Sequence, residues 1–235
     1  MTQKSKIEWT QLTWNPVTGC SKISEGCKNC YAERMSRRLQ LMGQKKYING
    51  FELTLHPDTL NYPSKLKKPS IIFVNSMSDL FHENVPFDFV KQVFDVMNKE
   101  KQHIFQVVTK RADIMLDIVS KLEIGDNIWL GVTIENNKHL DRLEYLKKTK
   151  ARIKFLSLEP LLSDLFDLDP KGVNWVIVGG ESGPGSREIK EEWVTDIRDK
   201  CIKNKIPFFF KQWGGINKKK SGKLLEGKVY NEFPI

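Results

Sequence analysis

The sequence predicts an α/β protein whose core is a partial (β/α) barrel of about six to seven parallel strands. Two observations carry that expectation. Beyond residue 69, short apolar runs alternate with amphipathic segments of helical period. The runs are also nearly continuous in apolar residues, as in strands covered by helices on both faces.

Taken in order, Leu12–Asn15 reads as a first short strand, followed by a cysteine-bearing loop and a helix over Tyr31–Leu41. On that helix Ala32, Met35, Leu39 and Met42 fall on an inner face, with Arg34, Arg37 and Arg38 outward. Residues 43–70 break the rhythm with Pro57, Pro63 and Pro69 and read as an inserted excursion holding a short strand at Phe51–Leu55. Six strands follow: Ile71–Asn75, His103–Thr109, Ile128–Thr133, Ile153–Leu158, Trp175–Val178 and Phe208–Lys211. Helical patterns over Phe87–Asn98, Ala112–Leu122, Leu140–Lys148 and Glu192–Asn204 lie between them. No repeat of solenoid length is visible. Residues 1–235 are therefore expected to form one domain, ending in a basic, peripheral tail after about residue 215.

Of the 235 residues, 40% are hydrophobic and 29% charged, which excludes disordered and collagen-like chains. No apolar stretch reaches the roughly 18 residues of a membrane helix. Met1–Lys6 is polar and has no signal-peptide core, so a cytoplasmic location is expected. Thirty-eight basic against 29 acidic residues give a net charge of +9, which favours a polyanionic partner. Two basic clusters stand out: Arg34, Arg37, Arg38, Lys45 and Lys46, and Lys211, Lys218, Lys219, Lys220, Lys223 and Lys228. A solvated lysine-rich surface explains them equally well.

Cysteine usage narrows the chemistry. Cys20, Cys27 and Cys30 form a C-x6-C-x2-C arrangement, with Gly19 and Gly26 giving the backbone room to curl. Clustered cysteines in an intracellular chain read as a metal or cluster site rather than a disulfide framework. Zinc needs a fourth ligand, and the nearest histidines, His56 and His82, lie beyond the next helix. A [4Fe–4S] cluster on three cysteines leaves one iron open to a substrate or cofactor. Zinc and unligated thiols remain the alternatives. Cys201 shares helical spacing with Trp193 and Ile197 and reads as core.

In a β/α barrel the site lies at the C-terminal strand ends. Those ends carry Ser76, Ser78, Asp79 and His82, then Thr109, Lys110 and Arg111, then Thr133, Glu135 and Asn136. Ser157 and Glu159 follow, then Gly180, Glu181 and Ser182, and finally Lys211, Gln212 and Trp213. Asp79 and Asn136 could equally be helix caps. Glu159 and Glu181 directly follow apolar runs and are placed at the barrel mouth. Trp9, Trp14 and Trp213 are candidates for covering a cluster or stacking a base, with core packing the rival role.

The cysteine loop, Asn75–His82, Val178–Pro184 and Phe210–Gly214, in that order, resemble the phage-associated three-Cys-motif family, whose function is unassigned. That family looks like a compact branch of the radical S-adenosylmethionine (SAM) superfamily. The resemblance implies a [4Fe–4S] cluster on Cys20, Cys27 and Cys30, with SAM bound at the open iron and cleaved to a 5′-deoxyadenosyl radical. It also implies an electron donor such as a flavodoxin or ferredoxin. By position, Ser76, Ser78 and Asp79 are candidates for the SAM amino group, Thr133 and Glu135 for its ribose, and Glu159 and Glu181 for ligand or substrate. The sequence departs from the superfamily in its longer first cysteine gap, in Asn29 rather than an aromatic before the third cysteine, and in a Gly179-Gly180-Glu181 that comes late. With the basic charge, the substrate expected is a nucleic acid or nucleotide undergoing repair or modification. The rival readings are a non-enzymatic nucleic-acid-binding protein with a structural Fe–S or zinc site, and a metal-dependent hydrolase using Asp79, Glu135, Glu159 and Glu181.

Overall fold

The computed structural model describes residues 5–234, with all side chains in that range except those of Lys218 and Lys219. The first strand, β1 (Leu12–Trp14), leads into a small antiparallel pair, β2 (Val17–Thr18) with β3 (Thr54–Leu55). Then come β4 (Ile71–Val74), β5 (Ile104–Thr109), β6 (Ile128–Thr133), β7 (Lys154–Leu158), β8 (Trp175–Gly179) and β9 (Phe208–Gln212). Seven of these form one parallel sheet in the order β1-β4-β5-β6-β7-β8-β9. Among the described residues no pairing joins β9 back to β1, so the sheet is a half-barrel with an open seam. The helices are α1 (Tyr31–Leu41), α2 (Phe87–Lys99), α3 (Ala112–Val119), α4 (Asp141–Lys147), α5 (Glu191–Lys203) and the one-turn α6 (Lys218–Ser221). None of the described helices is long and apolar enough to cross a membrane.

Period-two alternation sorts the strand side chains into two cores. Ile72, Val74, Phe105, Val107, Leu130, Val132, Leu156, Val176 and Phe208 face the helices and join the large cluster with Val90, Phe94, Met115 and Ile197. Trp129, Phe155, Trp175, Ile177 and Phe209 turn into the half-barrel and pack with Trp9, Phe73 and Phe233. Gly131 makes room for this inner packing: a Cβ there would stand 2.6 Å from the Phe155 ring.

Three sequence expectations need correction. Only Ala32 and Ser36 of α1 are buried, while Met35 and Met42 are exposed. The helix does not cover the sheet but lies along its rim, where only one narrow edge finds packing. Within 51–55 the strand is just Thr54–Leu55, since it has only the two residues of β2 to pair with. The segment after Gly214, expected to be peripheral, also closes the base of the barrel. Leu225 is fully buried, the Trp175 indole donates to Glu232 O at 2.8 Å, and Phe233 stacks 4.9 Å from Trp175. Aromatic residues scattered among the lysines supply that anchor.

Candidate active site

The cysteine loop, residues 19–30, is lashed across the C-terminal strand ends. It leaves β2 at Gly19, whose φ of +81° and contact with the Glu52 carbonyl (2.1 Å from a built Cβ) require glycine. Gly19 N donates to Met77 O and the Ser78 hydroxyl donates to Gly19 O, tying the loop to the end of β4. Arg111, just past β5, donates to the Ser21 hydroxyl at 2.7 Å and to the Cys20 sulfur at 3.6 Å. Ser24 donates to Glu135 beyond β6 at 2.5 Å, and Gly26 lies so close to that carboxylate that a Cβ would meet it at 2.4 Å. Asn29 reaches Glu181 beyond β8 at 3.0 Å, and α1 begins directly after Cys30. Two more contacts fix the start of α1: Tyr31 OH donates to Ser76 O at 2.8 Å and Arg34 to Ser182 O at 2.8 Å.

Each carboxylate at the strand ends has its own cation. Asp79 accepts from Thr109, Phe81 N, Lys110 N and Arg111, which fills the roughly four lone-pair positions a carboxylate offers. Glu135 is wholly buried and binds Arg142 at 2.7 Å and Lys110 at 3.4 Å. Burial alone would raise its pKa; Lys110, Ser24 and Arg142 outweigh burial and hold the carboxyl below the usual range. Glu159 pairs with Lys211 at 2.6 Å and accepts from the Trp9 indole at 3.2 Å. Glu181 takes a two-pronged bond from Arg187; burial opposes ionisation there, but Arg187 and Asn29 depress its pKa.

Beneath the loop lies a cavity of about 530 Å³. Its walls bring together Cys20, Cys27, Cys30, Ser76, Ser78, Asp79, Thr133, Glu159 and Glu181. Glu135 is wholly buried behind the wall, where it braces Ser24 and Gly26. His82 stands outside as well, hydrogen-bonded to Ser21. The tryptophans divide. Trp9 forms part of the cavity floor, Trp14 is buried in the helix-side core, and Trp213 packs on Phe210.

A family model described as a protein of unknown function (DUF5131) matches residues 4–234. The chain belongs to that family. No curated protein matches the sequence. Among solved structures, spore photoproduct lyase with bound AdoMet and dinucleoside spore photoproduct superposes with a TM-score of 0.52 at 11% identity, over 88% of this chain and 65% of that one. Two point mutants of spore photoproduct lyase give TM-scores of 0.58 and 0.59 at 11% identity, over 91% and 90% of this chain and 79% and 78% of those. At this identity the likeness is one of fold: a seven-stranded parallel half-barrel. The chain spans 65% of the length of the first of these structures.

All three loop cysteines are free and partly exposed. Burial, with Asp79 adding to it, pushes the Cys20 thiol up to about 11 despite the Arg111 contact. Among the described residues no group of three His, Cys, Asp or Glu side chains is gathered as ligands of one metal ion. Asp79, Glu135, Glu159 and Glu181 are each held instead by a cation of the chain itself, Arg111, Arg142, Lys211 and Arg187. Three free thiols lining one cavity match the thiolate donor set that an iron–sulfur cluster takes.

Sequence reasoning gave no partner to Asn29, Arg111 or Lys211, although all three stand in segments it quoted, and did not single out Arg187. An acidic residue at a strand end is itself a signal to look for its cation, because a buried carboxylate persists only when paired.

Proposed function

We propose that the chain is a radical SAM enzyme in which Cys20, Cys27 and Cys30 hold a [4Fe–4S] cluster and the cavity beneath them takes SAM. The observation that carries this reading is the loop of three free thiols roofing a cavity at the C-terminal ends of a half-barrel. When bound, the pair supplies a 5′-deoxyadenosyl radical that abstracts hydrogen from a substrate. The chain's own residues place the two groups. Arg111 holds Cys20, and Glu135 and Glu181 hold the middle and the far end of the loop through Ser24 and Asn29. In this reading Ser76 faces the SAM amino group and Thr133 the ribose, both from the cavity wall. Ser78 and Asp79 act at one remove, through Gly19 and Arg111.

The substrate we propose is a nucleotide or nucleic acid. The net charge of +9 supports it, as does the dinucleoside held by a neighbour of the same fold. The carboxylates at the mouth do not oppose it, because Lys211, Arg187 and Arg111 neutralise them. Lys6 and Ile7 before β1, and Lys211 and Gln212 of β9, line the cavity on either side of the seam and add two lysines to its wall.

Protein reconstituted anaerobically with iron and sulfide, then reduced with dithionite, is expected to convert SAM to 5′-deoxyadenosine, and Cys27→Ala is expected not to. A reconstituted protein that binds iron and sulfide in full yet leaves SAM intact would favour the structural-cluster binder instead.

A further inference from the structure

Twelve large apolar side chains are exposed among the described residues, and six of them fall on and beside α1: Ile23, Tyr31, Met35, Leu41, Met42 and Ile48. Leu41 is 89% exposed and Ile48 73%, values that a monomer's surface tolerates singly but that in a patch mark a binding face. Residues 22–48 also carry seven basic side chains against only Glu25 and Glu33, so more than half of the net charge of +9 resides there. Lys28, Arg38 and Lys45 are exposed.

A second cavity, of about 520 Å³, opens beside this face and is walled by Arg37, Gln40, Gly50, Phe51 and His82. It ends on Cys20, which the first cavity reaches from the other side. The Gln40 amide donates to Ile48 O at 2.9 Å, so helix and turn form one continuous wall. Cys20 is thus approached by two routes. Tyr31 and Met35 also line the first cavity, whereas Leu41, Met42 and Ile48 lie outside it, so a partner centred on these three would leave the SAM cavity free.

We propose that this face docks an acidic one-electron carrier protein; this rests on the cluster reading above. Leu41, Met42 and Ile48 have no planar face to stack a base, but Met, aliphatic and Arg side chains suit the buried centre of a protein interface. The basic rim would steer an acidic partner by long-range attraction. The transfer balances simply: the reduced carrier gives up one electron, the oxidised cluster accepts it, and no bond forms or breaks.

Flavodoxin is the probe, tested with reconstituted wild type and with a variant carrying Arg38→Glu, Leu41→Ser and Met42→Ser, all solvent-facing. We expect wild type to bind flavodoxin with an affinity that falls as salt rises. In the variant, binding and the rate of cluster reduction by reduced flavodoxin are expected to drop at least tenfold, while 5′-deoxyadenosine formation driven by dithionite is unchanged. Equal reduction of variant and wild type by flavodoxin would overturn the docking site. So would a loss of oligonucleotide affinity in the variant with flavodoxin binding intact, which would assign the face to nucleic acid. If dithionite drives no SAM cleavage in wild type, the enzyme reading fails, and calorimetric binding of flavodoxin to wild type and variant still decides the surface separately.

Discussion

At the N-terminal ends of the strands, Trp9, Trp129, Phe155, Phe209 and Phe233 pack around Trp175, with ring centroids 4.9–6.4 Å from its own. At the C-terminal ends, a few residues further along the same strands, the side chains are charged and paired. Asp79 pairs with Arg111 and Glu159 with Lys211 across the sheet, Glu135 with Arg142 of α4, and Glu181 with Arg187 nearby in sequence. The two ends do different work. Ring packing below gains stability from burial, about 1.5–3 kcal/mol for a fully buried Phe. The ion pairs above incur desolvation costs that their attraction only partly offsets, so their use lies in fixing where a loop sits rather than in net stability.

The largest effect that would sharpen this contrast is on cofactor loading. Cys27→Ala is expected to remove nearly all iron after reconstitution, measured by iron and sulfide analysis, while leaving the melting temperature of the apo protein almost unchanged. At the base the pattern should invert: Trp175→Ala is expected to cost about 3–5 kcal/mol in denaturant unfolding, with the folded fraction still loading a cluster. Arg111→Met joins the two regions. It strands Asp79, whose side chain is 9% exposed, and is expected to cost about 3 kcal/mol while also lowering iron content. If Arg111→Met changed stability alone, the strand-end pairs would be mere scaffolding and the contrast would dissolve.

The smallest effect is one of pH. Burial, with Lys46 adding to it, pushes His56 down to about 4 from an ordinary 6.5, and burial also lowers His82. Both histidines bond residues beside Cys20, namely Thr18 and Ser21. A histidine whose folded pKa is depressed takes up its proton more readily when unfolded. Its contribution to stability is therefore complete above about pH 6.5 and is lost as pH falls toward 4. The apo protein is expected to lose stability across that window, and His56→Gln to flatten the slope, followed by thermal melts at stepped pH.

The sheet was legible in the sequence because buried parallel strands announce themselves as apolar runs, and β6 falls on the very residues the pattern gives, Ile128–Thr133. The three cysteines were legible as one group because a short loop must carry them together. The partners of the carboxylates were not. Ser24 and Glu135 are 111 residues apart, and Asn29 and Glu181 are 152 apart, with no local pattern linking them. Nor could periodicity foresee the surroundings of α1: Met35 and Met42 have the spacing of a core face, but Met35 lines the cavity and Met42 stands exposed just past the end of the helix.

Electron paramagnetic resonance of anaerobically reconstituted, reduced protein, recorded with and without SAM, tests the central claim most directly. The account predicts a [4Fe–4S]⁺ signal that shifts when SAM is added, because the three-cysteine set leaves one iron open to it. A signal blind to SAM, or none in protein that retains its fold, would contradict it.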